Sequence, residues 1–73
     1  MNKRPPEPPY RLRLKEVRES KRLSQTDLAK LTGLKPSAIS HFETSQRTPC
    51  LKNLILLCIG LNCSPNDLLK RED

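Results

Sequence analysis

Aromatic residues, glycine and histidine are scarce here: one tyrosine, one phenylalanine, no tryptophan, two glycines and a single histidine in 73 residues. Two glycines build no glycine-rich phosphate loop. A lone histidine with only eight acids leaves no nucleophile beside a base at a useful spacing. The chain therefore reads as a non-enzyme. No apolar run is long enough to span a bilayer and no apolar signal segment follows the charged start, so the expected location is the cytoplasm, with no membrane partner. Cys50, Cys58 and Cys63 are odd in number and match no zinc spacing. They read as small packing residues or caps, and neither a metal nor another cofactor is expected. A redox switch or metal site is the competing reading, and a reducing cytosol counts against it.

What the chain does have is positive charge, unevenly placed. The net charge is +6. Residues 1 to 13 carry +3, residues 14 to 48 another +3, and residues 49 to 73 are neutral. A field of this kind attracts phosphate and makes binding fall with salt. About a third of the residues are apolar, enough for one small domain whose core is marginal, so dimerisation or DNA binding is expected to add stability.

The segment from Leu23 to Glu43 is the richest in local signals. Ser24 is a good N-cap, Asp27 stands at the third helical position as in a capping box, and Leu23 and Leu28 are spaced as a hydrophobic staple. A helix therefore starts at Gln25. Gly33 ends it, because glycine takes the left-handed conformation without a side-chain clash. Pro36 then suits a first helical position, with Leu34 and Ile39 as a second staple, and a helix of about two turns follows. Two short helices joined by a glycine turn make a helix-turn-helix, and in a basic chain that arrangement points to DNA.

The remaining elements follow from the same rules. Leu14 and Val17 put an apolar stripe on an otherwise polar first helix. Leu51, Leu54, Ile55, Leu57, Cys58 and Leu61 mark a fourth helix, opening near Thr48 to Cys50 and closing at Asn62. Ser64, Pro65 and Asp67 repeat the start signals for a short fifth helix through Leu68 and Leu69. The expected fold is all-α, a compact five-helix domain with no strands. Residues 1–11 read as a proline-rich, basic, flexible arm and residues 12–73 as the helix-turn-helix domain. Pro5, Pro6, Pro8 and Pro9 favour an extended arm, and Lys3, Arg4, Arg11 and Arg13 give it the charge to follow a DNA groove or backbone, although an unstructured leader is the plainer reading.

The spacing Ser-Gln-x-x-Leu-Ala, then Gly, then Ser-x-Ile-Ser-x-x-Glu, then Pro and a leucine-rich helix resembles the Cro/lambda-repressor type of helix-turn-helix, the Xre family. It covers roughly Leu14 to Leu69. The resemblance implies a five-helix lambda-repressor-like fold whose second motif helix lies in the major groove. Three departures stand out, one of them Pro36, where many relatives place a glutamine or arginine. Arg22 takes the place of a glycine or asparagine that usually closes the first helix, and Thr44 to Arg47 replace the usual Asn-Gly loop.

If Ile39 and Phe42 face inward, Lys35, Pro36, Ser37, Ser40 and His41 are free to face DNA. By resemblance, Pro36, Ser37 and His41 hold the main base-reading positions, with Lys35 and Ser40 beside them. Pro36 has no polar side chain and offers a base only apolar contact, so the resemblance shifts specificity to Ser37, His41 and Lys35. It further implies that Gln25, at the positive end of its helix, meets the DNA backbone and can brace the recognition helix, and that Gln46 and Arg47, in the loop after that helix, meet the backbone too. Glu43 is implied to pair with Arg18 and to be structural.

Leu56 and Ile59 fall where relatives often carry lysine, and neither is needed for the inward stripe of Leu54, Leu57, Cys58 and Leu61. They are the candidate surface for a homodimer or another protein partner. A two-fold dimer presents two recognition helices about 34 Å apart to a palindromic operator. The functional expectation is a sequence-specific double-stranded-DNA-binding transcriptional regulator, a dimeric repressor with no effector or protease domain. The rivals are an Xre-type antitoxin that binds a toxin as well as its operator, and a protein-interaction module on the same fold.

Overall fold

The computed structural model describes residues 10 to 71, with side chains described from 11 to 70. Five helices follow one another: α1 (Leu14–Ser20), α2 (Gln25–Thr32), α3 (Pro36–Glu43), α4 (Leu51–Leu61) and α5 (Pro65–Leu68). Two strands complete the described residues, β1 (Tyr10–Leu12) and β2 (Leu69–Arg71). Residues 1 to 9, which hold the prolines, Lys3 and Arg4 of the expected arm, lie outside the described residues.

The helix starts form as their sequences require. Ser24 accepts a hydrogen bond from the Asp27 N–H while the Asp27 carboxylate accepts from the Ser24 N–H, both at 3.0 Å. Pro36 opens α3 with Lys35 as its extended N-cap. At α5 the Asp67 carboxylate accepts from the Ser64 N–H at 2.9 Å and from its hydroxyl at 3.1 Å.

The ends of α1, α3 and α4 share one device. Arg22, Ser45 and Asn62 adopt left-handed φ values of 58°, 63° and 52°. Around each, paired backbone bonds close the helix: Arg22 N–H to Glu19 O and Leu23 N–H to Arg18 O; Ser45 N–H to Phe42 O and Gln46 N–H to His41 O; Asn62 N–H to Ile59 O and Cys63 N–H to Cys58 O. These are the two bonds of the Schellman closure, which favours glycine at the left-handed residue. α2 closes on glycine instead, with Gly33 at φ 77° and its N–H donating to Ala29 O at 2.8 Å, the simpler left-handed cap.

The core is assembled from every helix. Leu14, Leu28, Ile39, Leu57, Leu61 and Leu68 are fully buried, joined by Ala29, Phe42 and Cys58. Leu23 and Leu34, the outer halves of the two staples, pack against this cluster. Gly60 lets α4 approach α2 closely, since a Cβ there would stand 2.6 Å from Thr32 Cγ2. Thr32 itself is buried and satisfied: its hydroxyl donates to Leu28 O at 2.8 Å and accepts from the Leu34 N–H at 3.2 Å, bridging the motif's turn.

The strands correct the expectation of a purely helical chain. β1 and β2 pair antiparallel, Tyr10 with Arg71, Arg11 with Lys70 and Leu12 with Leu69. Leu69, expected to end the fifth helix, instead leaves it in extended conformation. The Arg13 N–H donates to Leu68 O at 2.6 Å, so the ribbon continues the start of α1 and ties the two ends of the described chain together. Strands of three residues show no alternation long enough to read, and these partners lie far apart in sequence.

Candidate nucleic-acid interface

α3 is an amphipathic helix with a clear division between its two sides. Ile39 and Phe42 are buried in the core. Lys35, Pro36 and Ser37 are exposed, and Ser40 and His41 are half-buried on the outer flank. All five candidate base-reading residues therefore sit on the part of α3 that the core does not occupy. Lys35 and Pro36 lie at the helix start, where a groove-inserted helix meets base edges first.

The loop after α3 winds back onto the helix end. Gln46 and Arg47 N–H groups both point at His41 O, at 2.9 and 3.2 Å, and the Thr44 hydroxyl donates to Ser40 O at 3.0 Å. This path depends on the left-handed Ser45. It leaves the Gln46 and Arg47 side chains exposed beyond the C-terminal end of α3.

Behind the outer face, one polar cluster fixes α3 relative to α1 and α2. Arg18 Nε donates to Glu43 Oε2 at 2.6 Å and Arg18 Nη2 to Oε1 at 3.2 Å, while Arg18 Nη1 donates to Leu23 O at 2.6 Å. The two side chains are only 10% and 3% exposed. Gln25 Nε2 donates to the same Oε1 at 3.0 Å. Burial pushes the Glu43 carboxyl up, but the hydrogen bonds from Arg18 and Gln25 outweigh it and hold the acid below its ordinary range. The bond to Glu43 raises Arg18 further, against the opposing effect of its burial. Glu43 thus spends its charge inside the fold and presents no bare carboxylate to a phosphate.

Gln25 is consequently held at the N-terminus of α2, with one amide hydrogen on Glu43 and a half-exposed side chain. The first-turn N–H groups of a helix have no intrahelical acceptor and favour an anion. Asp27, in the same turn, is not a free acid: the Ser24 backbone N–H and then its hydroxyl hold the carboxyl below its usual value.

The family model for the helix-turn-helix matches residues 14–68. The chain belongs to the helix-turn-helix family, of the Cro/lambda-repressor type. It is 38% identical over 60 residues to repressor protein C2 of Salmonella phage P22, a match that spans 82% of this chain and 28% of that protein. The chain thus spans under a third of the length of that repressor. Among solved structures it is similar to the restriction-modification controller protein C.AhdI from Aeromonas hydrophila, with 40% identity, a TM-score of 0.73 and coverage of 75% of this chain and 83% of that one. It is also similar to the P22 c2 repressor in complex with a synthetic operator, at 38% identity and a TM-score of 0.72, covering 80% and 88%.

The outward row of α4 differs in detail from the sequence expectation. Ile59 is 69% exposed, as its place outside the inward stripe implied, but Leu56 is half-buried. Its exposed companions are Leu51, at 73%, and Ile55, at 47%, which repeat every four residues with Ile59 along α4. The spacing 51, 55, 59 is present in the sequence, hidden by the density of apolar residues in this helix. Among the described residues, no cluster of three histidine, cysteine or acidic side chains is placed to hold a metal, and no helix is long and apolar enough to cross a membrane.

Proposed function

We propose that this chain is a sequence-specific regulator of transcription that binds double-stranded operator DNA in the cytoplasm as a homodimer and represses by occluding a promoter. The observation that carries the proposal is the outward face of α3. Ile39 and Phe42 anchor the helix, Lys35, Pro36 and Ser37 lead it, and Ser40 and His41 continue the same face. Ser37 and His41 donate to and accept from base edges, Lys35 reaches a guanine edge or a phosphate, and Pro36 offers apolar contact to a thymine methyl. Gln25, Gln46 and Arg47 flank this face and grip the phosphates on either side. The P22 relative was solved in complex with a synthetic operator, which supports operator binding by this chain.

The homodimer rests on the exposed Leu51, Ile55 and Ile59 row, an apolar stripe on the charge-neutral C-terminal third. An isologous contact through this row doubles the recognition helix and fits a palindromic site.

Fluorescence-anisotropy titration of duplexes enriched from a random pool, against shuffled duplexes and over a salt series, tests the reading. The expected result is a preference of about a thousandfold or more for the enriched duplex with affinity falling steeply as salt rises. Equal affinity for enriched and shuffled duplexes contradicts it. Sedimentation of Ile55→Lys and Ile59→Lys variants tests the dimer, which these charges should dissociate.

A further inference from the structure

Cys58 and Cys63 occupy the two ends of the turn that closes α4. The Cys63 N–H donates to Cys58 O at 3.0 Å across the left-handed Asn62. In this closure the residue at the start of the last turn and the residue beyond the cap come into side-chain contact, and that contact is ordinarily apolar. Here the residues at those two positions are both cysteines. Both are free, Cys58 buried and Cys63 half-buried, and both line one open groove. Cys50, the N-cap of α4, lies eight residues before Cys58, about 12 Å along a helix, and is out of bridging range.

We propose that Cys58 and Cys63 are an oxidation site that closes to an intrachain disulfide on exposure to hydrogen peroxide. The more accessible Cys63, as thiolate, attacks the peroxide O–O bond to give a sulfenic acid and hydroxide. Cys58 then loses its proton and attacks the Cys63 sulfur, forming the S–S bond and expelling the second hydroxide. The two thiol protons convert both hydroxides to water, so two thiols and one peroxide give one disulfide and two waters. Burial pushes both thiols up, which keeps the thiolate scarce at neutral pH and makes the step slow and base-promoted. This inference does not rest on DNA binding, but Ile55 and Ile59 of the proposed dimer row line the same groove, so the oxidation is read on the dissociated chain.

The test is intact-mass analysis and non-reducing peptide mapping of the full chain, reduced, desalted and exposed to hydrogen peroxide. The expected product has lost two hydrogens and links Cys58 to Cys63. Its yield is independent of protein concentration and unchanged in Cys50→Ser, and its rate rises about tenfold per pH unit below the thiol range. Cys63→Ser and Cys63→Ala, with circular dichroism matching the parent, should abolish that product. Oxygen addition without loss of the two hydrogens, an interchain bond whose yield grows with concentration, or a bond to Cys50 overturns the proposal.

Discussion

Arg18 on α1 and Glu43 on α3 form a two-pronged, nearly buried ion pair, and the same carboxylate accepts from Gln25 on α2. Three helices are thereby registered by one acid. Removing one partner strands a buried charge, so Arg18→Met or Glu43→Gln should each cost about 3 to 5 kcal/mol in urea unfolding. The double replacement Arg18→Met with Glu43→Leu should recover part of that loss, because no buried charge is left unpaired, while the Leu23 carbonyl and the Gln25 amide still lose their partners. A double variant as unstable as the sum of the two single ones contradicts this account.

The same pair sets a pH dependence. Glu43 is held below the ordinary carboxyl value of 4.5 in the folded state. Its contribution is therefore complete above that value and disappears as pH falls through the lower, folded value. Wild-type stability should decline more steeply below about pH 4.5 than that of Glu43→Gln. Asp27 and Asp67, also held low by their caps, leave both proteins some acid sensitivity. Thermal melts across the acid range check this, and equal slopes refute it.

Two helix closures carry residues poorly suited to a left-handed backbone. Arg22→Gly and Ser45→Gly should each stabilise by about 0.5 to 1 kcal/mol, the relief of a positive φ less the entropy glycine loses. Ser45→Gly should also leave DNA affinity near wild type, since the loop path is retained. Chemical denaturation of the two variants measures the gain.

Gly60 is required for a different reason. A Cβ added there would lie 2.6 Å from Thr32 Cγ2, and a β-branched side chain has little freedom to withdraw. Gly60→Ala should cost about 1 to 3 kcal/mol. Adding Thr32→Ser, which removes that methyl and keeps the hydroxyl on Leu28 O, should restore part of it. No recovery in the double variant means that α4 meets α2 elsewhere.

Much of the fold was legible because its signals are local. Ser24 with Asp27, Gly33, Pro36 and Asn62 each announce a helix boundary through their own backbone chemistry, and the structure uses all of them. What escaped depended on contacts between distant segments. The β1–β2 ribbon joins opposite ends of the described chain, the Gly60 approach needs Thr32 from another helix, and the outward turn of Ile55 is decided by packing that a uniformly apolar helix does not encode. At the candidate interface, the inward Ile39 and Phe42 made the outer face of α3 readable by elimination. That Gln25 braces α3 was implied by the resemblance, but its partner, the Glu43 carboxylate, was not readable, because glutamine at a helix start carries no signal of which of its neighbours it will meet.

The central claim is that α3 reads bases with its outer face, and base-preference profiling of variants tests it most directly. Enriched sequences should be compared for the parent, Ser37→Ala, His41→Ala and Arg47→Ala. Ser37→Ala and His41→Ala should each relax preference at individual base pairs, at about 1 to 3 kcal/mol per contact, whereas Arg47→Ala should weaken all sequences alike and lower the salt slope by about one. Unchanged sequence preference in both Ser37→Ala and His41→Ala contradicts the account.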